Sequence, residues 1–424
     1  MVKRIVILFS IILLTAAQIR AAEPADTRTA IFDDSFRTLQ TFLNGDDQGI
    51  PILALGSEDR LTVSYDRVAD DRDYLRYRLI HCDASWLPDL LTAPEYLDGF
   101  NEATIDDYAY SDATTQRYVN YSLSLPNSQM APRLSGNYLL QVYDETDPDH
   151  TLLQQRFSIL EPQMRVGAGI SSRTDIDYND RHQQLNIALD TRGLVSTGSV
   201  YNDVLVEVSQ NGREDNKVTL RTPSRVSGDV AYYEHQPSLI FPAGNEYRRM
   251  EILSTTFPGM HIAAVDYAYP YYHAQLETDL PRAGQPYSYD ETQHGRFRIR
   301  SLDAEDSQTG GEYIIVHFSL EMPELQGRDI FVDGDLFQRR FSPESRMTFN
   351  RATGRYELLA LLKEGAYNYQ YLTVPTNGST RGETATVEGD KYETVNQYLI
   401  KVYYRPPGTR YDRLVGVTQV TSGI

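Results

Sequence analysis

The sequence predicts an all-β protein built from three consecutive β-sandwich domains of the immunoglobulin-like or early-set kind. Short runs alternate between apolar and polar residues with a period of two, which is typical of half-buried strands. Clusters of turn-forming residues separate these runs, and long segments with a helical period are absent. Tyrosine, which suits half-buried strand faces and is common at protein interfaces, occurs 31 times. These observations favour stacked antiparallel sheets and a binding role.

Residues 1–22 have the pattern of a secretory signal peptide. Lys3 and Arg4 precede the apolar residues 5–14, and small residues follow up to Ala22. No cysteine follows the apolar run, so the usual lipid attachment site is missing. No later stretch approaches the roughly 18 apolar residues that a membrane-spanning helix needs. We therefore expect a soluble, exported mature protein.

The net charge limits the possible binding partners, and the single cysteine limits how the fold can be stabilised. The full sequence has a net charge of −19, and losing the basic residues of the signal peptide makes the mature chain more negative. This charge opposes binding to nucleic acid and to anionic lipid. The single cysteine, Cys82, cannot form an internal disulfide, so ordinary hydrophobic cores must stabilise the fold.

The first predicted domain covers residues 23–161. Its predicted strands are residues 61–65, 74–80, 118–125, 137–143 and 152–160. Turn clusters such as residues 68–73 and 144–149 separate them. The run from Gly136 to Tyr143 is similar to the penultimate strand of an immunoglobulin-like domain, with Gly136 at its tight start.

A long connection, residues 86–111, interrupts this domain. It begins at the only tryptophan, Trp86, shortly after the only cysteine, Cys82. Loops longer than about a dozen residues are usually either functional or disordered. This one is rich in apolar side chains, including Leu90, Tyr96 and Phe100, and is therefore too apolar to be disordered. We interpret it as a packed Ω-like lobe, with the alternative that it only caps the core of its own domain.

The second predicted domain covers residues 162–278, the third covers 279–404, and a tail covers 405–424. Predicted strands of the second domain are residues 184–189, 203–208, 247–253 and 262–267, with a hairpin turn at Asn211-Gly212. Predicted strands of the third domain are residues 296–300, 313–320, 330–334, 355–361, 367–372 and 397–404. The units share no fixed repeat period.

Motifs of the common catalytic and metal sites are missing from the sequence. There is no Gly-x-Ser-x-Gly elbow, no His-Glu-x-x-His, no phosphate-binding glycine loop and no Cys-x-x-Cys. His81 and Cys82 are strand neighbours whose side chains point to opposite faces, which favours a buried free thiol over a nucleophile pair. We predict no enzymatic activity and no cofactor.

Two patterns of acidic residues suggest a cation site only weakly. Asp175-x-Asp177-x-Asn179 opens like a calcium loop, but Asp180 and Asn186 stand where the loop needs glycine and glutamate. The acidic clusters at residues 70–73 and 106–107 could hold a hard cation or act as a carboxylate pair. In so acidic a chain, chance clustering on loops is the default interpretation, and no metal site is predicted.

Part of the third domain resembles a glycogen-binding carbohydrate module of the early-set type. Residues 331–337, Met347, residues 356–361 and residues 364–371 follow its order of strand, glycine turn, strand and Gly-x-Tyr-x-Tyr strand. Arg339 stands where such modules usually carry a sugar-stacking tryptophan. The resemblance therefore implies the fold without the sugar site.

Across its mature length the sequence resembles the plug protein family of the type IX secretion system of Bacteroidetes. The motifs that carry the resemblance are residues 80–86 (IHCDASW), 95–100 (EYLDGF), 135–138 (SGNY), 156–157 (RF), 210–212 (QNG), 241–246 (FPAGNE), 317–318 (HF), 388–393 (EGDKYE) and 402–413 (VYYRPPGTRYDR). They occur in the family's order from the first domain to the tail.

The resemblance implies a periplasmic, non-enzymatic protein that binds the inner mouth of the large outer-membrane translocon barrel and closes it when no cargo passes. The alternative is a periplasmic or surface glycan-binding protein, which the missing platform tryptophan disfavours. Binding to a defined glycan would discriminate between the two. The side chains selected as partner-binding candidates are Trp86, Tyr96, Phe100, Arg405, Arg410, Tyr411 and Arg413.

The tail candidates leave two interpretations open. Pro406 and Pro407 end the strand that reaches Tyr404, so the chain must leave the sheet there. The arginines of residues 405–413 then either pair with acidic residues of the protein itself or reach the translocon. For Trp86 we predict burial against its own domain.

Overall fold

The computed structural model describes residues 26–196 and 198–423, so the predicted signal peptide lies outside the described residues. Strands make up nearly all of the regular structure, which confirms the predicted all-β class. Three large clusters of buried apolar side chains form the cores of three β-sandwiches. Within the described residues, no helix combines the length and apolar character needed to cross a membrane.

The first sandwich packs the sheet β2-β4-β9-β8 against the sheet formed by β5, β11 and β12. Alternate side chains of β4 point into this core, and Leu61, Val63 and Tyr65 are all fully buried. Its elements are β1 (Ala30–Ile31), β2 (Phe36–Leu43), β3 (Ile52–Ala54), β4 (Leu61–Arg67), β5 (Leu75–Cys82), α1 (Ala93–Tyr96), β6 (Leu97–Gly99), β7 (Ala103–Thr104), β8 (Asp107–Tyr110), β9 (Val119–Leu125), β10 (Met130–Pro132), β11 (Gly136–Asp144) and β12 (Asp147–Leu160).

The lobe of residues 86–111 is part of this sandwich. Its short strands β6, β7 and β8 pair with β10, β5 and β9. Tyr96, Leu97 and Ile105 join the core of the first sandwich. The structure therefore agrees with the alternative that the lobe caps its own domain, while its outer side chains stay at the surface.

The second sandwich begins with β13 (Arg165–Ser171), β14 (His182–Asp190), α2 (Val200–Asp203), β15 (Val204–Gln210), β16 (Val218–Leu220), β17 (Arg225–Ser227), β18 (Val230–Tyr233), a 3₁₀ turn (Pro237–Leu239) and β19 (Ile240–Pro242). Asn211 and Gly212 follow β15 with φ values of 52° and 72°. The backbone N–H of Arg213 donates to the carbonyl of Gln210 at 3.0 Å, so the predicted turn is present. The connection between β15 and its partner β16 is longer than this turn, since their pairing ends at Val208 and Val218.

The third sandwich packs β20, β23, β25 and β28 against the sheet β21-β22-β24-β27-β26. Its elements are β20 (Arg248–Ile252), β21 (Ile262–Ala268), β22 (Tyr271–Leu276), β23 (Phe297–Ile299), α3 (Ser307–Gly310), β24 (Tyr313–Glu321), β25 (Arg328–Asp333), a 3₁₀ turn (Asp335–Phe337), β26 (Thr348–Asn350), β27 (Arg355–Lys363) and β28 (Gly365–Pro375). The strands β20 to β22, which the sequence analysis assigned to the second domain, belong here because β20 pairs with β28 and β22 pairs with β24.

The last two strands, β29 (Gln397–Tyr404) and β30 (Arg413–Thr421), return to the second sandwich. β29 pairs with β15 and β30 pairs with β29, so the third sandwich is inserted between β19 and β29. This corrects the placement of residues 397–404 in the third domain. It also corrects the expected tail: only residues 405–412 form a turn, and Leu414 and Val415 of β30 are fully buried.

One continuous sheet joins the first two sandwiches. Its order runs β16-β15-β29-β30-β12-β11-β5-β7, and the junction is the parallel pair Leu160–Leu414 between β12 and β30. The third sandwich is tied to the first by a fully buried ion pair between Lys363 and Asp66, with 2.6 Å between Nζ and Oδ2. The three sandwiches thus contact one another through both backbone and buried side chains.

Candidate partner-binding surface

The structure brings together two segments that lie more than 300 residues apart in the sequence. The backbone N–H of Ala84, just before the lobe, donates to Oδ2 of Asp412 at 2.8 Å. Arg410 forms an ion pair with Glu95 of the lobe. We refer to residues 87–100 of the lobe and residues 405–413 of the turn as the lobe–turn surface.

Hydrogen bonds at its two ends fix the conformation of the turn between β29 and β30. The guanidinium of Arg405 donates to both carboxylate oxygens of Asp412, at 2.7 and 2.8 Å. The backbone N–H of Arg405 donates to the carbonyl of Asp203 at 2.9 Å, and that of Thr409 donates to Pro406 at 3.0 Å. A bidentate arginine–carboxylate pair fixes geometry as well as charge. The turn is therefore preorganised.

Gly136 allows the turn to approach the first sandwich. Its φ is +133°, and a Cβ atom there would lie 2.8 Å from Nε2 of His81 and 2.9 Å from the carbonyl oxygen of Asp412. Tyr411 packs edge-on against His81, with 5.6 Å between ring centroids. A residue with a side chain at position 136 would push these groups apart, since both distances are shorter than a Cβ contact allows.

The tail arginines pair with acidic residues of the protein itself, which is the first of the two interpretations drawn from the sequence. Arg405 pairs with Asp412, Arg410 with Glu95, and Arg413 approaches Glu161 at 4.0 Å. The side chains of Arg405 and Arg410 nevertheless remain 46% and 58% exposed. These guanidinium groups are therefore accessible to another protein, and ion pairs this exposed contribute little to stability.

Two of the predicted contact residues are buried. Trp86 is 3% exposed and Tyr96 is 5% exposed, so neither ring faces outward, which corrects their selection as partner contacts. The hydroxyl of Tyr96 donates to the carbonyl of Leu79 at 3.0 Å. Phe100, in contrast, is 84% exposed.

Trp86 is buried, as predicted, but two cationic side chains lie near its ring. The guanidinium of Arg156 lies over its ring at 4.4 Å, and the amine of Lys401 lies 5.3 Å from it. Cys82 and Leu139 complete its apolar contacts. The tryptophan thus links the first sandwich to the returning strand β29 and acts in the junction between domains.

Cys82 and His81 point to opposite sides of β5. Cys82 is a buried free thiol that packs against Trp86, and burial raises its pKa to about 12. His81 bonds through Nδ1 to Asp89 and packs against Tyr138. The two groups do not form a catalytic pair, as the strand geometry predicted.

The surface contains exposed apolar residues that sequence reasoning placed inside the lobe. Leu90 is 88% exposed and Leu87 is 49% exposed. The signal that could have distinguished them is their position beside Pro88 and Asp89, in a turn-rich stretch. Together with Phe100 and the arginines, they form the mixture of apolar and cationic groups typical of interface anchors.

The other sequence patterns are explained by local pairing. Asp177 bonds to His182 and Asp175 bonds to His235, as expected for a solvated turn. Arg339, at the position of the missing platform tryptophan, is buried and donates to Asp335 at 2.7 Å and to the carbonyl of His294 at 2.6 Å. The Arg339 side chain therefore forms hydrogen bonds inside the protein.

Comparison with known proteins adds two matches. A family model for the type 9 secretion system plug protein 1st domain matches residues 36–161. The crystal structure of a hypothetical protein from Parabacteroides merdae ATCC 43184 is 41% identical with a TM-score of 0.91, covering 93% of this chain and 99% of that one. A structure of the Pseudomonas fluorescens alkylpurine DNA glycosylase AlkC bound to DNA has 9% identity and a TM-score of 0.18 over 30% of each chain, which carries no argument. No curated protein sequence matches the chain.

Proposed function

Because this chain belongs to the type IX secretion plug family, we propose that it is a non-catalytic periplasmic subunit that binds the inner mouth of the outer-membrane translocon barrel. In this proposal it closes the pore when no cargo is passing. A polar, all-β protein can obstruct a wide pore without entering the lipid. Reversible closure favours an interface of modest area with a few strong anchors.

The observation that carries this proposal beyond the family is the lobe–turn surface. Phe100 and Leu90 are large apolar side chains with more than four fifths of their surface exposed. Arg410 pairs with Glu95 of the same lobe and lies on a turn that is fixed by Arg405 and Asp412. A surface already ordered in the free protein loses little conformational entropy on binding, which favours its use as a docking site.

The experiment is co-purification of the translocon barrel with tagged protein from envelope extracts. We expect Phe100→Ala and the double change Arg410→Ala with Tyr411→Ala each to weaken binding about tenfold or more, as is usual for interface anchors. Phe100→Ala should leave the melting temperature unchanged, because an exposed ring contributes little buried area.

Matched controls lie on the third sandwich. Leu359 is an exposed apolar residue, at 62%, and the side chain of Arg351 is 84% exposed. Alanine at either position should leave binding intact. If the lobe–turn variants bind normally while Arg410→Ala with Tyr411→Ala lowers the melting temperature, the turn is only a structural clasp.

The sealing role has its own test. In a strain whose translocon is held open, deleting the gene should increase uptake of a large antibiotic that intact outer membranes exclude, while cargo export continues. Restoring wild-type protein should reverse the leak, and restoring the Phe100→Ala variant should reverse it only in part. Unchanged uptake after deletion would rule out sealing.

A further inference from the structure

A cavity of about 260 Å³ lies where the three sandwiches meet. The first sandwich contributes Phe157 to its lining, the second contributes Leu399, and the third contributes Arg296. None of the lining residues belongs to the lobe–turn surface. The volume is larger than a single water molecule or ion needs, so the cavity can hold a small organic molecule.

One face of β29 forms a wall of this cavity. Side chains alternate along the strand, and its even-numbered residues from Tyr398 to Val402 belong to the core of the second sandwich. Gln397, Leu399 and Lys401 lie on the opposite face and line the cavity. The wall therefore has a polar group at each end and an apolar side chain between them.

Lys401 is a buried cation at one end of the wall. The residue is 9% exposed, and its amine donates to the hydroxyl oxygen of Ser158 at 3.3 Å. An ammonium group has three N–H donors, so two of them lack an acceptor among the described residues. The charges of Glu207 and Glu214 favour the charged amine, but burial outweighs them and lowers the pKa of Lys401.

Arg296 is a second cation, at the other end of the wall. Its Nη1 donates to Oε1 of Gln397 at 3.2 Å, which leaves most of the five guanidinium N–H donors free within the described part of the chain. Burial is the main cause that lowers the pKa of Arg296. Asp335 acts in the opposite direction, but its carboxylate is bound to Arg339 at 2.7 Å.

The carboxylates that line the cavity already have basic partners, whereas these two cations have none. The carboxylate pairs are Asp47–Arg298, Glu207–Lys217, Glu214–Arg156 and Asp335–Arg339. Within residues 26–196 and 198–423, neither Lys401 nor Arg296 has a carboxylate oxygen within 4.0 Å, the distance that defines an ion pair. A buried cation without a counter-charge costs free energy, which an anion entering the cavity would offset.

The spacing of the two cations indicates an elongated ligand. Lys401 follows Gln397, the residue that Arg296 contacts, by four positions, which corresponds to about 13 Å along a strand. Leu399 lies between them on the same face. A molecule with an acidic group at each end and methylene groups in the middle matches this order of charge, apolar surface and charge.

We propose that this cavity binds a small organic dicarboxylate, with Lys401 holding one carboxylate group and Arg296 holding the other. The ligand would contact all three sandwiches at once, because each of them contributes to the lining. The proposal is independent of the translocon, since the cavity and the lobe–turn surface share no residue.

The test is titration calorimetry of the full mature protein with glutarate, adipate and suberate, and with acetate and inorganic phosphate for comparison. The buffer contains about 0.1 M sodium chloride, which screens the negative field of the protein beyond about 10 Å. We expect saturable binding of at least one dicarboxylate, tighter than that of acetate or phosphate. If no dicarboxylate binds, or if acetate or phosphate binds as tightly as the best of them, the proposal is wrong.

Variants locate the site. Lys401→Met and Arg296→Met should each weaken binding of the best dicarboxylate about tenfold or more, and circular dichroism checks that each variant is folded. If one variant fails to fold, the other still tests the site. Arg351→Met is the matched control, because it removes an arginine of the third sandwich whose side chain is 84% exposed. Unchanged affinity in the folded cavity variants, or an equal loss of affinity in the control, would refute the site.

Discussion

Replacing Lys363 by methionine tests how the first and third sandwiches are held together. The Lys363 amine lies 2.6 Å from Oδ2 of Asp66, and both side chains are fully buried. Oδ2 also accepts from the hydroxyl of Tyr313 at 2.7 Å, and Oδ1 accepts from the amide of Asn120 at 2.7 Å. Methionine fills a similar volume without the charge, so the substitution leaves the buried carboxyl group of Asp66 with neutral donors only.

The magnitude follows from the geometry of the pair. At 2.6 Å and an effective dielectric constant of about 20, the attraction is about 6 kcal/mol, much of which offsets the cost of taking both charges out of water. Removing one partner of such a pair typically costs about 3–5 kcal/mol. Adding Asp66→Asn should restore most of that loss, because a neutral amide needs no buried counter-charge.

The assay is guanidinium unfolding followed by the fluorescence of Trp86, the only tryptophan, and by far-ultraviolet circular dichroism. Arg298→Met is the matched control: it removes a second ion pair between the same sandwiches, to Asp47, but the side chain of Arg298 is 50% exposed. The control should cost no more than about 1 kcal/mol. If Lys363→Met costs no more than this control, or if the double variant is as unstable as Lys363→Met, the buried pair does not hold the sandwiches together.

Three further predictions concern single side chains. Trp86→Ala should cost about 3–5 kcal/mol through loss of buried surface and the cavity left beside Cys82, and unchanged denaturant midpoints by circular dichroism would contradict this. Cys82 should resist iodoacetamide at pH 8 until the protein unfolds, because burial raises its pKa to about 12; rapid labelling of the native protein would disprove burial. For Glu364, the folded-state pKa is raised, so stability falls as pH rises above the usual carboxyl value of 4.5, and Glu364→Gln should be stabilising at pH 7 and neutral below pH 4. A pH-independent difference between that variant and wild type would show that ionisation is not the cause.

The sequence by itself determined many of the longer strands and the face that each of these buries. Strand β24 shows why: Ile314, Val316 and Phe318 alternate with less buried neighbours, and a period of two is a local property of the backbone. The opposite directions of His81 and Cys82 and the turn at Asn211-Gly212 follow from the same local rules. Local geometry also explains why the strand ends at Tyr404, directly before Arg405 and two prolines.

Only the tertiary structure decided which strands pair across long distances. Alternation shows that β29 has a buried face, but it does not show that Tyr404 lies opposite Val204 in β15, with the third sandwich inserted between them. The buried placement of Tyr96 was equally hidden, since its apolar character suits a core and an interface alike.

The lobe–turn surface and the buried ion pair between Lys363 and Asp66 are products of the same long-range pairing. Arg410 meets Glu95 only because β30 continues the sheet of the first sandwich through the Leu160–Leu414 pair. Lys363 meets Asp66 only because the first and third sandwiches close against each other. An apolar strand face can pack against many other strands, and a charged side chain can pair with many residues of opposite charge. The choice among those partners therefore depends on the packing of the whole chain, which no local pattern in the sequence records.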